Sequence, residues 1–257
     1  MKKALLRDIS EGISSCELTH KARKPIDLSL ARRQHKAYGS CLEQLGYTVS
    51  IIPADSNHPD CVFIEDTVVV VDECAVMTNP GAFSRRGEVP PVEQEVAKHR
   101  PIHRIQEPGT LDGGDVLKIG MRILVGASGR SNASGIDQLR SFLAPYGYQV
   151  EAIPVSGCLH LKSACTLAAP DRALINPAWV DPERIGINTI AVAPEEPDAA
   201  NVLLLEEVLV AERRFPHTLQ RLHAAGIEPI IIDNSELALA EGGLTCCSVI
   251  LEVSATV

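Results

Sequence analysis

Apolar and polar positions follow a pattern that recurs about every fifty residues along the chain. Each unit holds a hairpin of two apolar strand candidates, then a connector, then a single strand. The predicted hairpins are residues 62–78, 114–125, 159–175, 201–211 and 244–253. The predicted single strands are residues 47–53, 102–106, 149–155, 189–193 and 229–233.

Most connectors have apolar residues at helical spacing, which predicts helices over residues 30–45, 92–99, 136–146 and 218–225. The connector at 177–187 is only a weak helix candidate. The repeating unit is therefore strand, strand, helix, strand. A repeat of this size indicates a solenoid or a ring.

The last hairpin lacks a clear second strand. Ala4, Leu5 and Leu6 could supply that strand, which would join the two ends and close a ring of five units around a central channel. Periodicity alone leaves an ordinary doubly wound α/β sheet as the alternative. No linker or low-complexity segment interrupts the chain, so we predict a single domain over residues 1–257.

Polar residues interrupt the strand candidates at corresponding places in successive units. Each has an ordinary explanation when taken singly, because strand cysteines are usually inert core, lone histidines structural, and acidic pairs solvated edges. In a ring they would meet at one mouth of the channel, and polar residues that break the strand pattern are expected at functional sites. They are Glu65, Asp66, Asp112, Asp115, His160, Lys162, Asn201, Thr245 and Cys246.

Composition excludes several classes of function. The net charge is −9 and there is no dense Lys/Arg run, which argues against a nucleic-acid partner. No apolar run is long enough to span a bilayer, and the one after Met1 is too short for a signal peptide, so we expect no membrane partner and a cytoplasmic location. The eight cysteines form no C-x-x-C pair and no zinc-type spacing, which predicts no metal site.

Five blocks of sequence in collinear order resemble one enzyme family: residues 60–66, 80–86, 110–117, 159–163 and 244–249. In these blocks the chain closely resembles the dimethylarginine dimethylaminohydrolases. The resemblance implies an α/β fold of the pentein superfamily, a five-bladed α/β propeller with five ββαβ repeats around a central channel. It also implies hydrolysis of Nω,Nω-dimethyl-L-arginine and Nω-methyl-L-arginine to L-citrulline plus dimethylamine or methylamine.

By motif position, the resemblance implies that Cys246 is the nucleophile, His160 the general acid and base, and Asp112 their acidic partner. Asp66, with Glu65 beside it, would hold the substrate guanidinium. The residue types suit this chemistry, because a thiolate is a strong nucleophile, an imidazole titrates near neutrality, and carboxylates accept guanidinium N–H groups. The implied reaction needs neither a metal nor a cofactor.

The resemblance also implies residues that bind the rest of an amino-acid substrate. Arg85 and Arg130 would bind its α-carboxylate, and Asp60 and the backbone carbonyl of Ile13 its α-amino group. Related proteins often have Leu in the lid where Ile13 is assigned. The backbone carbonyl of Ala240 is a further contact. The implied partner is a small methylated arginine, and a homodimer is one assembly that the sequence allows.

Two pairs of neighbours compete for one role each. Alternation along a strand directs Cys246 and Cys247 to opposite faces without deciding which faces inward, and the same holds for Arg85 and Arg86. The family motif favours Cys246, which lies two residues before Ser248.

Other readings of the same residues remain. An arginine deiminase, or another guanidine-modifying relative, uses the same cysteine, histidine and acid, but deiminases are typically longer and carry an inserted helical region. An amidinotransferase would need a second, acceptor substrate. A non-catalytic pentein that binds a partner would lack the cysteine, histidine and acid that this chain retains.

Overall fold

The computed structural model describes residues 2–252, which form five small sheets of three strands each. In each sheet two strands pair antiparallel, as a hairpin in four of the five sheets, and the third strand pairs parallel with the middle one. The strands are β1 (Lys2–Arg7), β2 (Thr48–Ile52), β3 (Val68–Val70), β4 (Ala75–Met77), β5 (Ile102–Arg104), β6 (Val116–Ile119), β7 (Arg122–Ala127), β8 (Gln149–Pro154), β9 (Cys165–Ala169), β10 (Arg172–Ile175), β11 (Asn188–Ala191), β12 (Leu203–Leu205), β13 (Val208–Glu212), β14 (Ile230–Ile232) and β15 (Val249–Glu252).

The N-terminal strand completes the last sheet. Strand β1 lies between β15 and β2, so that Leu5 pairs with Val249 on one side and with Ser50 on the other. This confirms the predicted closure, and five separate sheets exclude the doubly wound alternative. The fold is a five-bladed α/β propeller.

Helices connect the hairpins to the third strands as predicted, except in one blade. Helix α1 begins after Asp27, whose side chain accepts a hydrogen bond from the N–H of Leu30 at 2.9 Å. The connector at 177–187 forms only the 3-10 turn Pro182–Arg184, because two prolines and Gly186 leave too few residues to propagate a helix. The helices are α1 (Leu28–Gln44), α2 (Val89–Val96), α3 (Ala133–Leu143), α4 (Leu161–Ala164) and α5 (Pro216–Ala224).

A short helical turn precedes the first strand of every blade. In four blades the turn lies at least partly within the predicted hairpin, so the expectation of strand is wrong there; the fourth predicted hairpin begins at Asn201, after its turn. Strand geometry would bury their polar side chains in the sheets, whereas a tight turn lets them bond to neighbouring blades. The polar residues of all five blades thus collect in one ring of turns. The turns are Ile64–Thr67, Gly113–Asp115, Leu161–Ala164, Pro197–Ala200 and Thr245–Cys247.

The first strands of the five blades line the central channel. Its volume is about 330 Å³, and each strand contributes aliphatic side chains to its wall. Between blades the core is likewise aliphatic, as the low aromatic content predicts, with Leu5, Ile64 and Met77 packed in one buried cluster. Within residues 2–252, no helix combines the length and the apolar composition that crossing a membrane requires.

Candidate active site

The ring of turns has a pocket on one side and the central channel on the other. Successive residues of one turn point to different sides, because side chains in a 3-10 turn are about 120° apart. The channel side carries Glu65, Lys162 and Thr245. The pocket, a narrow cavity of about 20 Å³, is lined by Glu17, Asp60, Phe63, Asp66, Arg85, Arg130, Leu159, His160, Ala240, Glu241, Gly242 and Cys246.

His160 lies directly before helix α4 and faces a carboxylate with each ring nitrogen. Its Nε2 is 3.0 Å from Oδ2 of Asp112, and its Nδ1 is 3.8 Å from Oδ1 of Asp66. Burial lowers the pKa of His160, but the charges of Asp66, Asp115 and Asp112 outweigh burial and raise the pKa to about 9. The imidazole therefore holds a proton at neutral pH and can donate it.

Asp66 is a fixed negative charge at the base of the pocket. Its Oδ1 accepts the N–H of Gly114 at 2.9 Å, and its Oδ2 pairs with Nη1 of Arg85 at 2.6 Å. Burial opposes ionisation, yet His160 and Arg85 lower the pKa of Asp66 to about 2. A Cβ at Gly114 would lie 2.6 Å from Nδ1 of His160, so only glycine allows this approach.

The turn Phe83–Glu88 decides between the two adjacent arginines. Arg85 is buried, and besides its pair with Asp66 its Nη2 pairs with Glu88 at 2.8 Å. Arg86 points outward and pairs with the largely exposed Glu107. Arg85 is therefore the arginine that lines the pocket.

Of the adjacent residues Cys246 and Cys247, likewise only one lines the pocket. Cys246 lines the pocket, and its Sγ accepts the N–H of Gly243 at 3.4 Å. Cys247 is buried in an apolar cluster, where its Sγ donates to the carbonyl of Gly243 at 3.5 Å. Burial, together with the charges of Glu65 and Asp66, raises the pKa of Cys246 well above its usual range. A cation beside the sulfur would favour the thiolate.

Arg130 and Asp60 line the pocket and contact the segment that covers it. Nη2 of Arg130 donates to the hydroxyl of Thr19 at 3.2 Å, and its Nη1 lies 3.7 Å from Oδ2 of Asp112. The carboxylate of Asp60 accepts the backbone N–H of Glu17 at 3.1 and 3.2 Å. Both predicted binding residues thus line the pocket.

The covering segment is residues 17–21, which we call the lid. The carboxylate of Glu241 accepts the backbone N–H groups of residues 19–21 at 2.6–3.1 Å. Ile13, assigned to the lid from the sequence, does not line the pocket. Its apolar side chain is buried in the core, and its carbonyl accepts the N–H of Cys16 at 3.0 Å. The lid therefore lies a few residues later than the sequence assignment.

Glu65 and Ala240 complete the set assigned from the sequence. Ala240 lines the pocket, but the carboxylate of Glu65 lies on the channel side. There it forms an ion pair with Lys162 and accepts a hydrogen bond from the hydroxyl of Thr245 at 2.6 Å. The structure therefore brings Asp66, and not Glu65, to the face where His160 lies.

Sequence reasoning gave no role to Asp115. This buried carboxylate accepts hydrogen bonds from the hydroxyls of Ser128 and Ser131, each at 2.6 Å, and from the N–H of Leu161 at 2.9 Å. Because Leu161 follows His160, Asp115 fixes the backbone that carries the imidazole. Burial raises the pKa of Asp115 to about 6. The sequence signals for it are its polar side chain at the start of an apolar run and its place after two glycines.

One cluster in residues 2–252 has the spacing of a metal site. Asp66, Asp112 and His160 offer ligand atoms within 4.8 Å of one another. A proton on the imidazole competes with any metal, because a metal binds only the neutral ring. The carboxylates of Asp60 and Asp66, which line the narrow pocket, suit an organic cation with several N–H donors.

Comparisons with known proteins agree with this arrangement. No family model matches the chain. An N(G),N(G)-dimethylarginine dimethylaminohydrolase from Streptomyces coelicolor is 43% identical over 96% of each chain. Another from Pseudomonas aeruginosa is 33% identical over 94% of each chain. The structure of a cysteine-to-serine mutant of DDAH from Pseudomonas aeruginosa complexed with citrulline matches with a TM-score of 0.92 and 30% identity, over 98% of this chain and 100% of that one.

Proposed function

The chain belongs to the dimethylarginine dimethylaminohydrolase family, and we propose that it hydrolyses Nω,Nω-dimethyl-L-arginine and Nω-methyl-L-arginine. The products are L-citrulline and dimethylamine or methylamine. One observation carries the proposal: Cys246, His160 and Asp66 line a single pocket. A thiol and an acid–base group beside a fixed negative charge suit attack on a bound cation.

In this proposal Asp66 holds the guanidinium, and Asp112 orients His160. The low pKa of Asp66 keeps it ionised throughout the neutral range, so it can accept charge-assisted hydrogen bonds from a planar cation. A guanidinium is stabilised by resonance and is a poor electrophile. The pocket must therefore keep it charged while it presents the central carbon to the sulfur.

The amino-acid end of the substrate extends toward the lid. We assign the substrate α-carboxylate to Arg130, with Arg85 as a second positive charge in the pocket. We assign the α-amino group to Asp60. A lid carbonyl among residues 17–19 replaces that of Ile13 as the second acceptor for the amino group, because this is the part of the lid that contacts Asp60 and Arg130. The backbone carbonyl of Ala240 is a further acceptor at the pocket wall.

The first half of the reaction forms a bond between sulfur and carbon. Burial and the charges of Glu65 and Asp66 raise the pKa of Cys246, and the bound cation counteracts them, so substrate binding favours the thiolate. The thiol proton passes to solvent, because His160 is already protonated. The thiolate attacks the central carbon of the guanidinium and gives a tetrahedral intermediate. His160 donates its proton to the dimethylamino nitrogen, the C–N bond breaks, and dimethylamine leaves. An S-alkylthiouronium on Cys246 remains.

In the second half of the reaction the same histidine acts as a base instead of an acid. Neutral His160 removes a proton from water, and the resulting hydroxide attacks the thiouronium carbon. The second tetrahedral intermediate collapses as the S–C bond breaks. The sulfur leaves as the Cys246 thiolate, the hydroxyl proton passes to solvent, and citrulline leaves with its neutral ureido group. The hydrogen bond between Nε2 of His160 and Asp112 keeps the ring oriented in both halves.

We further propose that the chain acts as a single catalytic domain in the cytoplasm and uses neither metal nor organic cofactor. Cysteine, histidine and the substrate's own charge supply the nucleophile, the acid and the activation. The partner is a small arginine derivative. A monomer and a homodimer both fit the sequence, and sedimentation velocity would distinguish them.

Incubation with asymmetric dimethylarginine, arginine and agmatine tests the proposed activity. We expect a ureido product and an equal amount of dimethylamine from the first substrate, at a far higher specificity constant than for arginine. A deiminase would instead release ammonia from arginine efficiently, and a non-catalytic protein would release nothing. Cys246→Ser is the negative control.

A further inference from the structure

Asn201 is a buried polar residue that lies outside the pocket lining. It follows the turn Pro197–Ala200 of the fourth blade. Its Oδ1 accepts the backbone N–H of Thr245 at 3.0 Å. Its Nδ2 donates to the hydroxyl of Thr245 at 3.1 Å and to the carbonyl of Lys162 at 3.0 Å. These backbone partners fix the orientation of the amide. The N–H of Thr245 must face the amide oxygen, and the carbonyl of Lys162 must face the amide nitrogen.

These bonds join the segments that carry the reacting groups. Thr245 immediately precedes Cys246, and Lys162 lies two residues after His160. One side chain of the fourth blade therefore holds the cysteine turn of the fifth blade against the histidine segment of the third.

The network continues to the turn that carries Asp66. Because the hydroxyl of Thr245 accepts from Asn201, its proton is directed to Oε2 of Glu65, 2.6 Å away. Glu65 immediately precedes Asp66 and forms an ion pair with Lys162. All these contacts lie behind the pocket, so they connect the three segments without contact to a substrate.

Close packing keeps Asn201 in this position. A Cβ at Gly243 would lie 2.4 Å from Oδ1 of Asn201, so the glycine backbone lies directly against the amide. The N–H of the same glycine donates to Sγ of Cys246. The amide therefore packs against Gly243 and bonds to Thr245, both of which lie within the three residues before Cys246.

We propose that Asn201 is a positioning residue that sets the place of Cys246 relative to His160 and Asp66, acting through Thr245. This inference rests on the proposed function and deepens it, because it identifies the residue that fixes the position of the nucleophile. The displacement of a reacting group by about 1 Å can cost about 100-fold in rate. The carboxylate of Glu65 acts in the same network through Thr245 and not as a guanidinium ligand.

The isosteric variant Asn201→Asp tests the proposal. It keeps the shape and the acceptor for the N–H of Thr245 but loses both donated bonds. Asn176→Asp is the matched control: Asn176 is equally buried, donates to the carbonyl of Pro197 at 3.0 Å, accepts from Ala178, and does not line the pocket. Thermal unfolding of both variants records the structural cost.

We expect Asn201→Asp to lower kcat by about 10- to 100-fold with little change in KM, because the substrate contacts remain while the sulfur is displaced. Alkylation of Cys246 by chloroacetamidine should slow in parallel. Asn176→Asp should lose comparable stability but keep kcat. Folded Asn201→Asp with the kcat of Asn176→Asp would overturn the proposal.

A second pair of variants covers a failure of Asn201→Asp to fold. Thr245→Ser keeps the hydroxyl that links Asn201 to Glu65, and Thr245→Val keeps only the shape. We expect Thr245→Ser to retain the alkylation rate of Cys246 and Thr245→Val to lose it, whereas equal rates overturn the proposal. If the wild-type protein released no amine, the proposed function would be contradicted instead. The alkylation rates of Cys246 would still decide whether Asn201 positions it.

Discussion

The two ring nitrogens of His160 face two different carboxylates, with Nε2 3.0 Å from Asp112 and Nδ1 3.8 Å from Asp66. The ring therefore holds both protons at neutral pH, and its pKa is about 9. The thiol of Cys246, whose pKa is raised, also keeps its proton. The acid is ready before substrate binds, whereas the nucleophile forms only beside a bound cation.

Protonated His160 should stabilise the fold, and the effect should depend on pH. The folded pKa of about 9 lies above the usual 6.5, so the stabilisation is complete below 6.5 and is lost as pH rises through 9. The difference of 2.5 (9 − 6.5) corresponds to on the order of 3 kcal/mol. Urea unfolding of wild type and His160→Gln near both limits measures it. A difference in unfolding free energy between the two proteins that does not shrink at high pH would contradict this coupling.

Arg85 should matter for stability far more than its neighbour. Arg85→Ala leaves Asp66 and Glu88 buried without their cation, which should cost about 3–5 kcal/mol of unfolding free energy. Arg86→Ala removes a pair with a mostly exposed Glu107 and should cost about 0–1 kcal/mol. Chemical denaturation of both variants compares them directly. Equal losses of unfolding free energy would show that the buried ion pairs of Arg85 add no stability.

Arg130 should select substrates with an α-carboxylate. Arg130→Ala should weaken binding of methylated arginine by about 1.5–3 kcal/mol, because it removes a charged hydrogen bond. The decarboxylated analogue, which has no carboxylate to lose, serves as the control ligand and should bind both proteins alike. Inhibition constants for the two ligands give the comparison. If both ligands lose the same affinity, Arg130 acts on the lid through Thr19 and not on the carboxylate.

Apolar periodicity predicted the strands and most helices, but by itself it left a doubly wound sheet as an alternative to a ring of blades. The hairpins, most of the helices and the closure by residues 4–6 follow from where aliphatic residues recur, because those residues must face a neighbouring blade. Residues 177–187 are too short and too rich in proline to reveal their turn.

The site was harder to predict from sequence. A run such as residues 61–71 looks like a strand with polar interruptions, but its polar part is a turn, so Glu65 and Asp66 diverge instead of lying together. The lid has no periodicity to set its register, which is why Ile13 was assigned to it. Asp115 and Asn201 interrupt the apolar pattern, but their roles depend on hydrogen bonds between blades, which the sequence does not reveal.

The assignment of Cys246 as nucleophile rests on a turn that separates two adjacent thiols. Cys246 lines the pocket and Cys247 lies in the core, with 1% of its surface exposed. Strand alternation had suggested opposite faces, and the 3-10 turn Thr245–Cys247 gives the same separation by a rotation of about 120° per residue. Cys247→Ser should therefore retain most citrulline formation, and Cys246→Ser should abolish it.

The most direct test is to label the protein with chloroacetamidine, a guanidinium-like alkylating agent, and to map the modified peptide. The reagent should modify Cys246 selectively, because only that sulfur shares a pocket with Asp66 and His160. An excess of asymmetric dimethylarginine should protect it. A label on Cys247, or modification of Cys246 that substrate does not slow, would contradict the central claim that this pocket holds methylated arginine against Cys246.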